Sequence, residues 1–201
     1  GEPFCRLMKK TKRIFRCLAG ILYPRRCPLC GELLSRKEKR VCNICRPSVQ
    51  LIEEPFCLKC GKPLARPEQE YCQDCLRNRR HFDAGRAAFP YLGKFRKSIR
   101  DLKLHNKRSY GAFFAEAMTA VLQEEMDRWE IDVIAPVPLH PKKRRYRGFN
   151  QAELLAFPIG EALAIPVIPD LLCKREETAE QKELDRKSRQ KNLKKAFKIG
   201  P

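Results

Sequence analysis

Eight of the eleven cysteines in this chain of 201 residues form four C-x-x-C pairs, each separated from the next by eleven residues. The pairs are Cys27/Cys30, Cys42/Cys45, Cys57/Cys60 and Cys72/Cys75. Two sulfurs one tight turn apart can occupy adjacent corners of a tetrahedron about 2.3 Å from a zinc ion. The spacing therefore predicts structural zinc sites of four thiolates each, and two zinc ions for the eight cysteines.

A repeat of thirty residues groups these pairs. The segments CPLCGELLSRKEKRVCNIC (27–45) and CLKCGKPLARPEQEYCQDC (57–75) share all four cysteines and the glycine after the second one. Each copy holds a complete four-thiolate set, so the duplication favours two successive zinc ribbons. A cross-braced pairing, first pair with third and second with fourth, remains open on spacing alone, and a disulfide framework is a weaker alternative.

A four-thiolate zinc site has no open coordination position. Zinc in such a site stabilises the fold of the chain and takes no part in chemistry. We therefore expect the function to reside in the ribbon surface or in the rest of the chain.

The charge of the chain is strongly positive, with 43 Lys and Arg against 24 Asp and Glu and a formal net charge of +19. Such a charge favours polyanions as partners: nucleic acid, nucleotides, phosphorylated metabolites or an acidic membrane surface. No apolar run of about 18 residues occurs, so no membrane span is expected. In residues 1–26 the apolar side chains fall on one helical face, which predicts an amphipathic helix.

From residue 82 onward the pattern is that of mixed helices and strands. Residues 82–93 have the composition of a strand or hairpin arm, and residues 94–129 predict two helices with a break near 105–111. The apolar run 131–139 predicts a buried parallel strand. A helix follows with Asn150 as its N-cap, while Pro158 and Gly160 predict that this helix kinks or ends early. A strand, a basic loop and a helix start in this order form the α/β arrangement in which anions bind.

The blocks CPLCG, CLKCG, LKLHNK, APVPLHPKKRRYRGFNQAELLA and TAEQKELDRKSRQKNLKKAF follow one another along the chain. In this order they resemble the ComF family, and R-G-F-N-Q at residues 147–151 is the most distinctive block. The resemblance covers nearly the whole chain from about residue 14. It implies a small double zinc-ribbon domain over residues 27–80. It also implies an α/β phosphoribosyltransferase-like domain, a parallel sheet with flanking helices, over residues 81–201.

The resemblance also implies a function. Members of this family handle internalised single-stranded DNA in natural transformation, which places the chain in the cytoplasm, and have a site for phosphoribosyl pyrophosphate with magnesium. By this resemblance the pyrophosphate side would be bordered by Lys142, Lys143, Arg144, Arg145, Arg147, Asn150 and Gln151. Gln181, Arg186 and Arg189 would lie on a loop that covers the site.

One part of the family pattern has no counterpart in these 201 residues: an apolar strand followed by two acidic residues and a Thr-Thr-Gly phosphate loop. The resemblance therefore predicts a phosphoribosyltransferase-like domain that lacks its C-terminal phosphate-loop part. We assign no catalytic residue and leave enzymatic turnover open.

Two other functions remain open. The chain could be a non-catalytic nucleic-acid-binding module, or an adaptor whose ribbons dock a partner such as a competence helicase. The candidates for nucleic-acid contact are Lys94, Arg96, Lys97, Arg100, Lys103 and Tyr146, whose ring could stack on a base. The cations at 142–147 could also form a plain solvated surface, but like charges so close together repel one another unless an anion offsets them.

Overall fold

The computed structural model describes residues 24–174 and 196–200 of the chain. It separates into two compact units, Gly1–Val49 and Gln50–Pro201, each of which is described by itself. The amphipathic helix predicted for residues 1–26 lies almost wholly outside the described residues. The predicted domain boundaries at 27, 80 and 81 remain predictions.

The first unit contains the first zinc ribbon. Its chain doubles back through an antiparallel bridge between Arg26 and Leu33, and the Gly31 amide donates to the Cys27 carbonyl at 2.8 Å. Glu38 is buried, and its carboxylate accepts from the backbone N–H groups of Ser35 and Asn43, each at 2.7 Å. These two backbone donors lower the pKa of Glu38, because they stabilise the charged form. A short 3₁₀ turn, Arg46–Ser48, ends the ribbon.

The second unit begins with the second ribbon, which repeats the local geometry of the first. Phe56 bridges Pro63, and the Gly61 amide donates to the Cys57 carbonyl at 2.7 Å. The described residues of this unit form six α-helices, of which the first contains the zinc ligand Cys75 and the others follow the ribbon. In chain order the six are α1 (Gln73–Arg77), α2 (Gly93–Leu104), α3 (Gly111–Gln123), α4 (Met126–Trp129), α5 (Pro141–Arg147) and α6 (Gln151–Leu163).

The core of this unit forms where α3 packs against α6. Phe113, Phe114 and Val121 are buried on α3, and Ile159 is buried on α6. The two helices approach closely because Gly111 has no side chain: a Cβ there would lie 2.7 Å from a methyl carbon of Leu154. Burial of such apolar area, at about 25 cal/mol per Å², is what stabilises the pair.

The helix α6 runs through Pro158 to Leu163. Of the two predicted alternatives, an early end is therefore wrong, and a kink at Pro158 stays a prediction. Proline removes one backbone hydrogen bond at a cost of about 3 kcal/mol, but the helix continues far enough to bury Ile159 and to bring Gly160 against the next segment. At Gly160 a Cβ would lie 2.4 Å from a methyl carbon of Val167, so only glycine fits this crossing.

Sheet structure is sparse among the described residues. Ile134 and Val167, which flank α5 and α6 in sequence, form an isolated parallel bridge. The strands β1 (Leu172–Lys174) and β2 (Phe197–Ile199) pair antiparallel, with Cys173 opposite Lys198. The strand predicted for 131–139 is thus reduced to one bridge, and no strand forms over residues 82–93, where the chain turns and bends.

These elements do not establish the predicted phosphoribosyltransferase-like α/β domain, whose parallel sheet is represented in the described ranges by the one bridge. Among the described residues, none of the helices has the length and apolar character that a bilayer crossing needs.

Candidate zinc centres and basic surface

The eight C-x-x-C cysteines come together in two groups of four. Cys27, Cys30, Cys42 and Cys45 form one group, and Cys57, Cys60, Cys72 and Cys75 form the other; within each group the sulfurs lie within 4.8 Å of one another. The Sγ atoms of Cys30 and Cys42 are 3.7 Å apart, and those of Cys60 and Cys72 are 3.8 Å apart. A tetrahedron with zinc–sulfur bonds of about 2.3 Å has edges of about 3.8 Å. The sulfurs therefore fit two structural zinc ions, paired in sequence order and not cross-braced.

These distances also exclude disulfides within the groups, because bonded sulfurs lie about 2.05 Å apart. All eight cysteines are free thiols. The donor set is soft and closed, which suits structural zinc and leaves no position for a substrate.

The backbone around the first cysteine of each ribbon is arranged to hold a thiolate. Burial acts to raise the pKa of Cys27, but hydrogen bonds from the backbone of Cys42, Cys30 and Leu29 outweigh it and lower the pKa to about 7. The same balance lowers the pKa of Cys57 to about 6. By contrast, burial and the neighbouring sulfurs raise the pKa of Cys30 and of Cys60 to about 12. Four thiolates so close together need a cation between them.

The second ribbon is joined to the helices of its own unit through the segment that follows it. A Cβ on Gly61 would lie 2.5 Å from the backbone nitrogen of Ala87. The Arg86 side chain is buried: its guanidinium lies 3.8 Å from the Phe56 ring centre, and Nη2 donates to the Ile52 carbonyl at 2.7 Å. Its Nε atom lies 3.5 Å from a carboxylate oxygen of Glu125, just beyond α3.

The predicted basic loop at 142–147 is a helix, α5, and not a loop. Pro141 occupies its first turn, the His140 side chain accepts from the Lys142 amide at 3.3 Å, and Gly148 ends it at a left-handed φ of 76°. Proline at a helix start and glycine just past its end are both favoured, because proline lacks an N–H and glycine tolerates positive φ.

This helix is fixed to the start of α6 by side-chain contacts. Arg144 donates to both carboxylate oxygens of Glu153, each at 2.9 Å, and Arg147 donates to the Gln151 side chain. Two of the five cations predicted to border a phosphate site, Arg144 and Arg147, are therefore held against α6. Arg145 is exposed on α5, and Tyr146 is 95% exposed.

Asn150 is the N-cap of α6, as predicted. Its side-chain oxygen accepts from the Ala152 amide at 3.0 Å, and its Nδ2 donates to the Val137 carbonyl at 3.1 Å. Nδ2 also donates to Glu153 at 3.2 Å, which completes the capping pair. Asn150 is buried, so this network connects the end of the 131–139 segment with α5 and α6.

Two residues that the sequence did not single out lie beside these elements. The guanidinium of Arg108 lies 4.6 Å from the Phe149 ring centre, and Arg108 Nε donates to Asn106 at 2.9 Å. One face of Phe149 is thereby covered by Arg108. Lys174 on β1 is the second: burial and the nearby charge of Lys143 lower its pKa.

The cations of α2 that were predicted to contact nucleic acid are exposed, and their role remains a prediction. Ser98 and Leu102 are buried, and the exposed cations are Lys94, Arg96, Lys97, Arg100 and Lys103. Of the remaining candidates, Gln181, Arg186 and Arg189 lie outside the described residues. Their placement on a covering loop remains a prediction.

Two comparisons with known proteins find a match. Residues 18–76 match the double zinc ribbon domain. The chain is similar to Competence protein F of Haemophilus influenzae, with 37% identity over 68 residues, which cover 34% of this chain and 30% of that protein. The match thus spans less than a third of the relative's length. No solved structure matches the chain.

These findings identify residues 18–76 as a double zinc ribbon, and the similarity to Competence protein F agrees with the resemblance to the ComF family. They do not show a phosphoribosyltransferase-like domain.

Proposed function

We propose that this chain acts in natural transformation, where it handles internalised single-stranded DNA and binds a ligand of the phosphoribosyl pyrophosphate type together with magnesium. Its similarity to Competence protein F supports the biological role. The ribbons hold two structural zinc ions, and the ligands bind to the basic elements of the second unit.

The main support for a phosphate-containing ligand is the attachment of α5 to the start of α6. Residues 141–153 contain five Lys and Arg and one Glu, so the net charge is 5 − 1 = +4 in thirteen residues. Because Arg144 is fixed on Glu153 and Asn150 caps α6, these cations sit on an ordered element next to a helix N-terminus. Fixed cations beside the positive end of a helix dipole favour a phosphate group.

Arg145 is the residue on which the ligand proposal depends most directly, since Arg144 and Arg147 already have protein partners. A charge-assisted hydrogen bond is worth about 1.5–3 kcal/mol, or roughly a 10- to 100-fold change in affinity. Arg145→Ala should weaken binding of phosphoribosyl pyrophosphate by that factor. Lys37→Ala, which removes an exposed cation from the first ribbon, is the matched control and should have no effect.

Single-stranded DNA needs a longer contact surface, which the exposed cations of α2 and the ring of Tyr146 supply. Aromatic stacking contributes about 1–3 kcal/mol per base, and each neutralised phosphate adds about −0.7 to the salt slope on single strands. Fluorescence anisotropy with a labelled oligothymidine should show binding that falls steeply with salt. Tyr146→Ala and Arg100→Ala should each weaken it, and only Arg100→Ala should flatten the salt slope.

These variants distinguish the two proposed binding sites. If Arg145→Ala leaves the binding of phosphoribosyl pyrophosphate intact, the small-ligand site is not at α5. If Tyr146→Ala and Arg100→Ala leave oligothymidine binding unchanged, the DNA surface is not the one proposed.

A further inference from the structure

We propose that a cleft on the second ribbon docks a short acidic, apolar segment of a partner protein. The cleft has a volume of about 500 Å³ and lies wholly within the second unit. Residues at both ends of the ribbon line it, including Leu58 after the first zinc ligand, Tyr71 before the third and Leu76 after the fourth. This inference does not depend on the phosphoribosyl ligand or on DNA.

The duplication shows that the ribbon fold does not require this cleft. Residues thirty apart are equivalent, so Tyr71 corresponds to Val41 and Lys59 corresponds to Leu29. In the first ribbon Val41 is 8% exposed and Leu29 is 3% exposed, whereas Tyr71 is 40% exposed. The first ribbon therefore buries small apolar side chains at positions where the second displays a large aromatic ring and a cation.

Three apolar side chains stand among the mostly polar residues that line the cleft, and we call these three its floor. Leu58, Tyr71 and Leu76 are all exposed, and Leu76, at 63%, is the most exposed of them. Nearby, the Lys59 ammonium lies 5.6 Å from the ring centre of Phe82, which is also exposed. Exposed apolar side chains that cluster in this way, with polar groups at the rim, mark interaction surfaces.

The rim is positive. Lys59, Arg79 and Arg80 line the cleft against one carboxylate, Asp83. Arg80 is already held by Asp74. Lys59 and Arg79 are then the cations that can meet a carboxylate of the occupant, while Leu58 and Leu76 meet its apolar side chains.

The floor favours a peptide over a single strand of nucleic acid. Bases stack on aromatic or guanidinium planes, which Tyr71 and Arg79 offer to either ligand, but the aliphatic side chains of Leu58 and Leu76 offer none and suit the apolar side chains of a peptide. A peptide with alternating acidic and apolar residues matches both the floor and the rim. The dense cationic surfaces of the unit lie elsewhere, on α2 and α5.

The test uses fluorescein-labelled short peptides in which Asp or Glu alternates with Leu or Phe, and matched peptides with Asn or Gln in place of the acids. The full chain, with zinc bound, should bind the acidic set and not the amide set. Residues at the centre of such interfaces contribute about 2 kcal/mol or more, which is roughly 30-fold in affinity.

Two variants locate the binding. Tyr71→Val installs the residue of the first ribbon, and Arg79→Glu reverses a rim charge outside the C-x-x-C pairs. Each should weaken binding of the acidic peptides at least 10-fold while zinc content stays at two per chain. Ile44→Ser, which removes an exposed apolar side chain from the first ribbon, should leave binding unchanged.

Three outcomes overturn the proposal. Acidic peptides could bind no better than the amide peptides, or both variants could bind as well as the original chain. Displacement of the peptide by oligothymidine, with loss of oligothymidine binding in Tyr71→Val, would instead assign the cleft to nucleic acid.

Discussion

Glu125 is paired with two arginines at nearly the same distance, and we predict that only one of them matters for stability. Arg86 Nε lies 3.5 Å from one carboxylate oxygen, and Arg128 Nη1 lies 3.3 Å from the other. The side chains of Arg86 and Glu125 are 3% and 6% exposed, whereas that of Arg128 is 65% exposed. Water screens the Arg128 pair and hardly reaches the Arg86 pair.

The expected magnitudes follow from burial. Removing one partner of a buried ion pair costs about 3–5 kcal/mol, because the other charge is left in a poorly solvated site. Arg128 still contacts Glu125, so Arg86→Met should cost about 3 kcal/mol, at the lower end of that range. An exposed pair contributes about 0–1 kcal/mol, so Arg128→Met should have a small effect.

Urea unfolding with saturating zinc measures the free energy of unfolding of both variants. Trp129, the only tryptophan, lies in α4, and its amide donates to the Glu125 carbonyl at 3.0 Å, so its fluorescence reports on this region. If Arg86→Met and Arg128→Met lower the free energy of unfolding equally, the reasoning from burial is refuted. The double variant Arg86→Met with Glu125→Leu should recover most of the lost stability, because an apolar pair replaces the buried ions.

Three further predictions address other parts of the molecule. Gly160→Ala places a Cβ against Val167 and should lower the free energy of unfolding of the second unit by about 1–3 kcal/mol in the same urea assay. Glu161→Ala, at an exposed position of the same helix, should leave that free energy nearly unchanged. Burial and the charge of Lys143 lower the pKa of Lys174, so Lys143→Gln should raise this pKa toward the ordinary lysine value. NMR titration of ¹³C-methylated lysines measures the change, and an unchanged midpoint for Lys174 would contradict the prediction. Elemental analysis should find two zinc ions per chain and one in Cys60→Ser; a ratio near zero with intact thiols would exclude zinc.

Acid should weaken the first ribbon through Glu38. Its pKa is lowered in the folded chain by the N–H donors of Ser35 and Asn43, so its stabilising effect is complete above the ordinary value near 4.5. That contribution is lost as the pH falls through the lower, folded pKa. Glu38→Gln should therefore reduce the difference in ribbon stability between neutral and acid pH. Unchanged pH dependence, measured as zinc retention, would contradict this role.

The zinc centres could be predicted from sequence because their geometry is local. A C-x-x-C pair fixes two sulfurs within one turn, and the complete set in each copy of the repeat favours sequential pairing over cross-bracing. The structure brings together the predicted sulfurs at tetrahedral distances. The N-cap at Asn150 was predictable for the same reason, since a cap depends on the residues that immediately follow it.

Other features depend on contacts between distant segments. Arg86 and Glu125 are far apart in sequence, as are Arg108 and Phe149, and no local pattern links them. The helix α5 is different, because its signals were present: Pro141 at the start and Gly148 at the end. The segment was predicted to be a loop because it lies between a predicted strand and a predicted helix start. The contact between Arg144 and Glu153, which offsets part of the charge repulsion, could not be read from the sequence.

The central claim is that the second unit binds a phosphoribosyl ligand at α5 in addition to DNA. Calorimetric titration of phosphoribosyl pyrophosphate, with and without magnesium, tests it most directly. The account predicts one ligand per chain, a requirement for magnesium, and loss of affinity in Arg145→Ala but not in Lys37→Ala. Absence of binding, or weak binding that ignores magnesium and merely falls with salt, would contradict it.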